Sequence, residues 1–183
     1  KAHANECVPC QFCHVASNAI GDVGASALAE AAAGGALASL KELYLQRNQI
    51  ADGGASALAE AIAGGALAKL TEIDLYSNLI GNEGLAAFSA AVGSGALPRL
   101  TKLYLSGNAI ADAGVAALAA ACGNGALPQL EKLFLAFNEI GDAGMQALSA
   151  AAALGAMAKL TSLNLEDNQI GNDGMSALAV IGS

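Results

Sequence analysis

The sequence is poor in charge, aromatic rings and proline, and it contains no Trp. Of its 183 residues, 13% are charged, 4% are aromatic, 3 are Pro and 2 are His. With 8 Lys and Arg against 16 Asp and Glu, the chain lacks the basic surface that nucleic-acid binding requires. No run of roughly 18 residues is free of Gly and polar side chains, so we expect no membrane-spanning helix.

Signatures of catalysis are missing as well. There is no glycine-rich phosphate loop and no Ser/His/Asp grouping, and both histidines, His3 and His14, lie near the N-terminus. We therefore predict a protein that is not an enzyme and carries no cofactor. Because the chain begins with Lys1 rather than Met, we expect a processed chain or a fragment. The sequence does not determine the compartment; we expect a cytoplasmic protein, with an organellar one, after removal of a targeting segment, as the alternative.

A 30-residue repeat runs through the whole chain. Six asparagines follow one another at that interval without insertion or deletion: Asn18, Asn48, Asn78, Asn108, Asn138 and Asn168. An Ile follows each Asn by two residues and a Gly follows it by six. Between these lies an Asp or Asn, a residue type that caps helices by accepting backbone N–H groups, so a helix is predicted next. These capping candidates are Asp22, Asp52, Asn82, Asp112, Asp142 and Asn172.

Each repeat predicts one strand and one helix. In the second repeat, GGASALAEAIAGG places Leu58 and Ile62 on one helix face and ends at Gly64 and Gly65, where the chain leaves the helix. The segment before each Asn has the pattern LxxLxLxxN, and the alternation within LxL predicts a short strand. In the second repeat this pattern is formed by Leu40, Leu43, Leu45 and Asn48.

Motifs such as LKELYLQRNQIADGGASALAEA resemble those of leucine-rich repeat proteins, specifically the ribonuclease-inhibitor-like subclass, over essentially the whole chain. The resemblance implies an α/β solenoid, a horseshoe arc with a parallel sheet on the concave face, helices on the convex face and a buried Asn at each turn. One repeat alone buries too little apolar surface to offset its backbone entropy, which agrees with folding by stacking. We predict one domain over residues 1–183: a degenerate Cys-containing repeat over 1–17, then regular repeats over 18–183 that end mid-repeat.

Residues that flank the inward Leu positions are expected to point onto the concave face. Of the seven aromatic residues, all but Phe88, which replaces a core Leu, fall in four outward columns. Exposed rings are what a protein-binding surface needs, although aromatic residues also favour strands for their own sake. We predict that a protein or peptide binds through Tyr44, Arg47, Asp74, Tyr76, Lys102, Tyr104, Lys132, Phe134 and Phe137. The GTPase-activating protein of Ran, of the same subclass, offers another function, with Arg47 as the one concave arginine, but nothing around it matches a known motif.

Charge is segregated along the predicted concave face. Carboxylates lie at both ends of the face and lysines lie in the middle, an arrangement that orients a partner or simply keeps the surface soluble. The members are Glu42, Glu72 and Asp74, then Lys102 and Lys132, then Glu166 and Asp167.

The helix row offers a second hypothesis. Its predicted solvent positions are mainly Ala, with isolated Glu30, Glu60, Ser89 and Gln146, whereas Cys122 falls in a core column. A smooth row of small residues permits close docking, and the chain stops at ALAVIGS, mid-helix by alignment. The alternative function is therefore a structural or accessory subunit that docks through its ends and helices.

Residues 7–14 carry the sequence CVPCQFCH. The CxxCH signature of haem c attachment is matched by Cys10, Cys13 and His14. The spacing is also that of metal ligands, which would be Cys7, Cys10 and Cys13, with His3 nearby as a fourth. The repeat register instead assigns all three Cys to inward positions, where free Cys packs as a small hydrophobe. On a strand, Cys13 and His14 face opposite sides. The Cys-rich N-terminal caps of secreted relatives imply a further alternative, a disulfide that closes the open end.

Overall fold

The computed structural model describes residues 10–178, which alternate between short strands and helices. The strands are β1 (Phe12–His14), β2 (Glu42–Tyr44), β3 (Glu72–Asp74), β4 (Lys102–Tyr104), β5 (Lys132–Phe134) and β6 (Ser162–Asn164). The helices that follow them are α1 (Gly21–Ala33), α2 (Asp52–Ala63), α3 (Asn82–Gly93), α4 (Asp112–Gly123), α5 (Asp142–Ala153) and α6 (Asn172–Leu178). The predicted order of one strand and one helix per repeat is confirmed.

The strands of the described residues form one parallel sheet in chain order, from β1 to β6. Residues 30 apart are paired in every ladder: Leu43 lies opposite Ile73, and Ile73 opposite Leu103. The pairing continues past the strands, since the Arg47 N–H donates to the Tyr76 carbonyl at 2.9 Å. Because the repeat has no insertion, the register passes unchanged from one strand to the next. The fold is the predicted leucine-rich repeat solenoid.

The core lies between the sheet and the helices. Leu58 and Ile62 of α2 belong to the buried cluster, and Phe88 of α3, predicted as a core residue, is 6% exposed. The helix α2 ends as predicted, since Gly64 follows its last residue and Gly65 has the left-handed φ of +80° that favours glycine. The inward residues of the second repeat are Leu40, Leu43, Leu45 and Ile50, each at most 2% exposed.

A ladder of asparagines joins the turns of successive repeats. The Asn78 carboxamide oxygen accepts the N–H groups of Asn48 and Ile50 at 3.1 and 3.0 Å. Its Nδ2 donates to the carbonyls of Leu45 and Leu75, both at 3.0 Å. The side chain is 5% exposed and satisfies backbone groups of its own repeat and of the one before it. The buried role that the resemblance implied is observed for Asn48, Asn78 and Asn138, whereas Asn18 of the first repeat is exposed.

The carboxylates at the helix starts cap a different helix from the one predicted. The N-termini of α1 to α5 have no side-chain cap from their own N-cap residue. Instead, Asp52 Oδ1 accepts the N–H groups of Gly81 and Gly84, at the start of α3, at 2.7 and 2.8 Å. The same pair of backbone N–H groups, at the start of the helix in the following repeat, donates to the side-chain oxygens of Asp22, Asn82, Asp112 and Asp142. The expectation was wrong because Asp52 is already the first helical residue, one position beyond the N-cap.

Small side chains line the contacts between neighbouring helices. Ala59 and Ser89 are each 3% exposed, and the Ser89 hydroxyl donates to the Leu85 carbonyl at 2.7 Å. The prediction that Ser89 faces solvent is therefore wrong. Glu30, Glu60 and Gln146 are exposed, as predicted. A helix inside the row is covered by the sheet and by two helical neighbours, so a column expected to meet water is buried between helices.

Some predictions lie partly outside the described residues. The Cys-containing first repeat joins the sheet, because β1 pairs with β2 from Phe12 to His14. His3, Cys7 and the final residues 179–183 are not among the described positions, so the predicted division into 1–17 and 18–183 stays a prediction. Within residues 10–178, none of the helices has the length and apolar character needed to cross a bilayer.

Candidate functional site

The concave face comprises the outward side chains of the sheet and of the turn that follows each strand. Its central column has one residue from each strand, and adjacent members are paired across the sheet. Tyr44 and Tyr104 are partly exposed in this column, whereas Leu43 and Leu103 beside them are buried. The structure therefore places the predicted tyrosines outside the core. The column consists of His14, Tyr44, Asp74, Tyr104, Phe134 and Asn164.

Two pairs of rings meet within the central column. The His14 and Tyr44 rings stack with centroids 4.4 Å apart and planes at 18°. Tyr104 and Phe134 meet edge to face, with centroids 5.0 Å apart and planes at 75°. These distances are those of favourable aromatic contacts. Asp74 occupies the position between the two pairs.

A second group of rings lies at the turns after the strands. Tyr76 is 36% exposed, and the Arg47 guanidinium lies 5.8 Å from the centroid of its ring, a cation–π distance. The Tyr76 ring also lies beside Gly107, where an added Cβ would be 3.4 Å from Cε2. Phe137 is 51% exposed one repeat further along. These predicted site residues thus lie along the edge of the face that the turns form.

The turn position that holds Arg47 and Phe137 has left-handed backbone in every described repeat. Glycine adopts this conformation without strain, and Gly107 uses it with φ of +68°. Phe137 adopts it with φ of +54° and Arg47 with φ of +59°, and bulky side chains are disfavoured there. The repeat therefore demands the backbone conformation, but it does not demand a phenylalanine or an arginine. The column is Ser17, Arg47, Ser77, Gly107, Phe137 and Asp167.

The carboxylates of the face differ in their partners. The Tyr44 hydroxyl donates to Glu42 Oε2 at 2.8 Å. Lys102 Nζ pairs with Glu72 Oε2 at 2.7 Å, and Glu72 is 9% exposed. Asp74 Oδ1 accepts the backbone N–H of Tyr76 at 2.9 Å. Over residues 10–178 the Lys102–Glu72 contact is the one ion pair within 4.0 Å, so Asp74 has no cationic partner there.

The ion pair changes the predicted segregation of charge. Lys102 neutralises Glu72. Lys132 is partly exposed and has no carboxylate within 4.0 Å in the part of the chain that the structure describes. The face retains two acidic areas, at Glu42 with Asp74 and at Glu166 with Asp167. Glu42 and Glu72 were expected only as charges on the face, but they hold two of the predicted binding residues, Tyr44 and Lys102. The sequence did contain a signal for the ion pair. Glu42, Glu72 and Lys102 follow one another at intervals of 30 residues, so they lie on adjacent strands.

Burial and neighbouring charge raise several pKa values around Glu72. Burial raises the pKa of Asp74, and the charge of Glu72 raises it further, although the Tyr76 N–H acts in the opposite direction. Burial, and then Glu72, raise the pKa of Tyr104. Burial, followed by the hydrogen bond to Glu42, raises the pKa of Tyr44, and the hydrogen bond to Glu72 raises that of Lys102. Burial is the largest cause for Asp74, Tyr104 and Tyr44, and the negative charge of Glu72 raises the pKa of all four groups.

The cysteine segment does not bring its possible ligands to one point. Cys13 is partly buried against the core, and burial raises the pKa of its thiol. His14 lies on the opposite side of β1, where it stacks on Tyr44. Cys10 is exposed, contrary to its predicted inward position, since β1 has no strand beyond it within the described residues. Cys10 and Cys13 are free thiols, and residues 10–178 contain no cluster of three His, Cys, Asp or Glu fit for a metal ion.

This geometry defines a repeat solenoid with an open, aromatic-lined sheet. A family model described as leucine-rich repeat matches residues 14–29, 36–59, 66–89, 97–119, 127–149 and 156–179. The chain belongs to the leucine-rich repeat family, whose fold is generally a protein-binding scaffold.

Comparisons with individual proteins give more distant similarities. None of the curated proteins matches the chain. Among solved structures, the chain is similar to an internalin from Listeria monocytogenes, with 20% identity, a TM-score of 0.43 and coverage of 80% of this chain and 47% of the internalin. It is also similar to a TDR receptor, with 22% identity, a TM-score of 0.38 and coverage of 74% of this chain and 19% of the receptor. The chain thus spans about half the length of the internalin chain and about a fifth of the receptor chain.

Proposed function

We propose that the chain is a non-catalytic module that binds a protein or peptide through the aromatic residues of its concave face. The face offers a sheet of exposed side chains and, at the predicted positions, rings with both apolar area and polar groups. A helix of 12 residues in each of the repeats from α2 to α5 supports placement in the ribonuclease-inhibitor-like subclass.

The observation that carries this proposal is the backbone at Phe137. A phenylalanine with φ of +54° is strained by about 1 kcal/mol, and its ring is 51% exposed. It therefore contributes little to the core that would offset the strain. The equivalent residues of the two preceding repeats are Ser77 and Gly107, so the fold accepts smaller residues at this position. A contact with a partner explains an exposed ring at this position.

The test removes two touching rings from the centre of the face. We expect the double variant Tyr104→Ala, Phe134→Ala to lose recovery of partner proteins from an extract of the source cells, because the contact at 5.0 Å supplies rigid area at the centre of the surface. Recovery is measured by pull-down with quantitative mass spectrometry, and far-UV circular dichroism checks the fold.

The matched control is Leu154→Ala. Leu154 is 78% exposed and follows the last residue of α5, so this variant removes exposed apolar area from the opposite side of the solenoid. We expect its recovery of partners to equal that of the wild type. Undiminished recovery with the double variant would contradict the proposed concave site, as would an equal loss with the control.

A second function, docking into a larger assembly through the end of the solenoid, is favoured by one observation. In the sixth repeat Leu160, Leu163 and Leu165 are only partly buried, whereas their counterparts in the fourth repeat are at most 2% exposed. They line a cavity of about 830 Å³ together with polar residues such as Thr161 and Asn168. Size-exclusion chromatography of the isolated chain distinguishes the two functions. Self-association or obligate co-purification supports end docking, and a clean monomer contradicts it.

A further inference from the structure

We infer that the partner presents a lysine or arginine side chain, which the concave face binds between Tyr44 and Tyr104 above the carboxylate of Asp74. The inference deepens the proposed function and rests on it. It names the chemistry of the bound group: a cationic side chain of a peptide or protein segment.

The geometry begins with the register of three adjacent strands. Tyr44 is paired with Asp74, and Asp74 with Tyr104, so the carboxylate lies between two phenols in one row. Neighbouring strands are about 4.8 Å apart, which separates the two tyrosine positions by about 10 Å and leaves room for one aliphatic stem between them.

Neither aromatic contact involves Asp74, which is partly exposed. Tyr44 stacks on His14 of β1, and Tyr104 meets Phe134 of β5, so each ring has its aromatic neighbour on the side away from Asp74. Each tyrosine is held by these contacts, and the Tyr44 hydroxyl is also held by Glu42. The two rings are thus held in place in the columns on either side of Asp74, which reduces the entropy lost on binding.

The charge of this row favours a cation. Lys102 is already paired with Glu72, and Asp74 has no cation within 4.0 Å among the described residues. Glu42 accepts the Tyr44 hydroxyl, and within residues 10–178 neither Glu42 nor Asp74 has a cationic group within 4.0 Å. Burial and Glu72 raise the pKa of Asp74, and a bound ammonium or guanidinium group would offset the cost of ionising it. Aromatic rings beside a carboxylate attract a cation through both the quadrupole of the rings and the negative charge of the carboxylate.

The probe is a set of immobilised octapeptide pools in which one central residue is Lys, Arg, Leu or Glu and the other positions are mixed. Retention of the labelled full chain is measured on each pool. We expect the Lys and Arg pools to retain about five- to tenfold more protein than the Leu pool. The Asp74→Asn variant should reduce that ratio to about twofold or less.

Two further variants distinguish binding at this site from non-specific attraction to the negative charge of the chain and from non-specific apolar contact. Glu60→Gln removes the same charge from an exposed position on α2 and should keep the full preference. Tyr104→Leu keeps apolar area but loses the ring, so it should lower retention on the Lys and Arg pools and leave retention on the Leu pool unchanged. Circular dichroism confirms the fold of each variant.

The remaining outcomes overturn the inference. These are equal retention on all pools, a preference for the Leu or Glu pool, a preference that survives in Asp74→Asn, and an equal loss with Glu60→Gln. None of these outcomes changes the pull-down with Tyr104→Ala, Phe134→Ala, on which the proposed function depends. Loss of recovery there, together with no preference for basic pools, would mean that the concave face binds a partner of different chemistry.

Discussion

Asp52 and Gly84 are matched across the boundary between two repeats. Asp52 Oδ1 accepts the Gly84 N–H at 2.8 Å, and a Cβ added to Gly84 would lie only 2.6 Å from that oxygen. The hydrogen bond thus requires an approach that only glycine allows. This contact explains why each repeat pairs an Asp or Asn at the helix start with a Gly two residues later. The helix N-terminus of one repeat is satisfied by the carboxylate of the repeat before it.

Gly84→Ala should therefore destabilise the protein by about 2–3 kcal/mol, because the new methyl group forces Asp52 or Ala55 to move. Gly93→Ala, in the same helix, is the matched control, since the nearest atom to its new Cβ is 3.9 Å away. Alanine there should leave stability unchanged or raise it by up to about 1 kcal/mol. Urea denaturation followed by circular dichroism measures both. Equal free energies of unfolding for the two variants would contradict the assigned contact.

Asn78→Ala should destabilise the protein by about 3 kcal/mol or more. The substitution leaves the buried N–H groups of Asn48 and Ile50 without an acceptor. It also removes one of the two side-chain donors from the carbonyls of Leu45 and Leu75. Asn18→Ala is the control in the same column, because Asn18 is exposed and water replaces its two hydrogen bonds. We expect its cost to be below about 1 kcal/mol. Similar shifts of the melting temperature for both variants would contradict this account.

Asp74→Asn should stabilise the protein at pH 7. The folded-state pKa of Asp74 is raised above the ordinary value of 3.8, so the folded chain holds this proton more tightly than the unfolded chain. The resulting stability is present below pH 3.8 and is lost as the pH rises through the folded pKa. Asparagine keeps the acceptor for the Tyr76 N–H without the charge. Denaturation at pH 3 and pH 7 should show a gain only at pH 7, and a gain of equal size at both would count against burial of the charge.

Cys122 should resist alkylation while Cys10 reacts. Burial raises the pKa of the Cys122 thiol to about 11, and its side chain is 2% exposed. Cys10 is exposed. At pH 8, iodoacetamide followed by peptide mass spectrometry should show modification of Cys122 on the order of a hundredfold slower. Comparable rates at the two sites under native conditions would show that α4 opens readily.

The uninterrupted period of 30 residues made most of the fold predictable. Each LxL pattern gives a strand, and equal spacing brings equivalent residues such as Leu43 and Ile73 into register. The errors at Asp22, Ser89 and Cys10 share one cause. Each depends on a neighbouring repeat: the helix capped by Asp22, the helix that covers Ser89, and the strand that is missing beside Cys10 in the described residues. The sequence pattern within one repeat contains no information about the contacts that its residues make with the neighbouring repeats.

The sequence by itself determined which side chains face the core and which face outward, because alternation along a strand is a local property of the backbone. It therefore placed Tyr44, Asp74 and Tyr104 on one surface. Only the tertiary structure decided that Tyr44 contacts His14 and that Tyr104 contacts Phe134. It also decided that Asp74 lies between them with no cationic group within 4.0 Å among residues 10–178. Those contacts depend on the spacing of adjacent strands and on competition among neighbouring side chains, which exist only once the repeats have stacked.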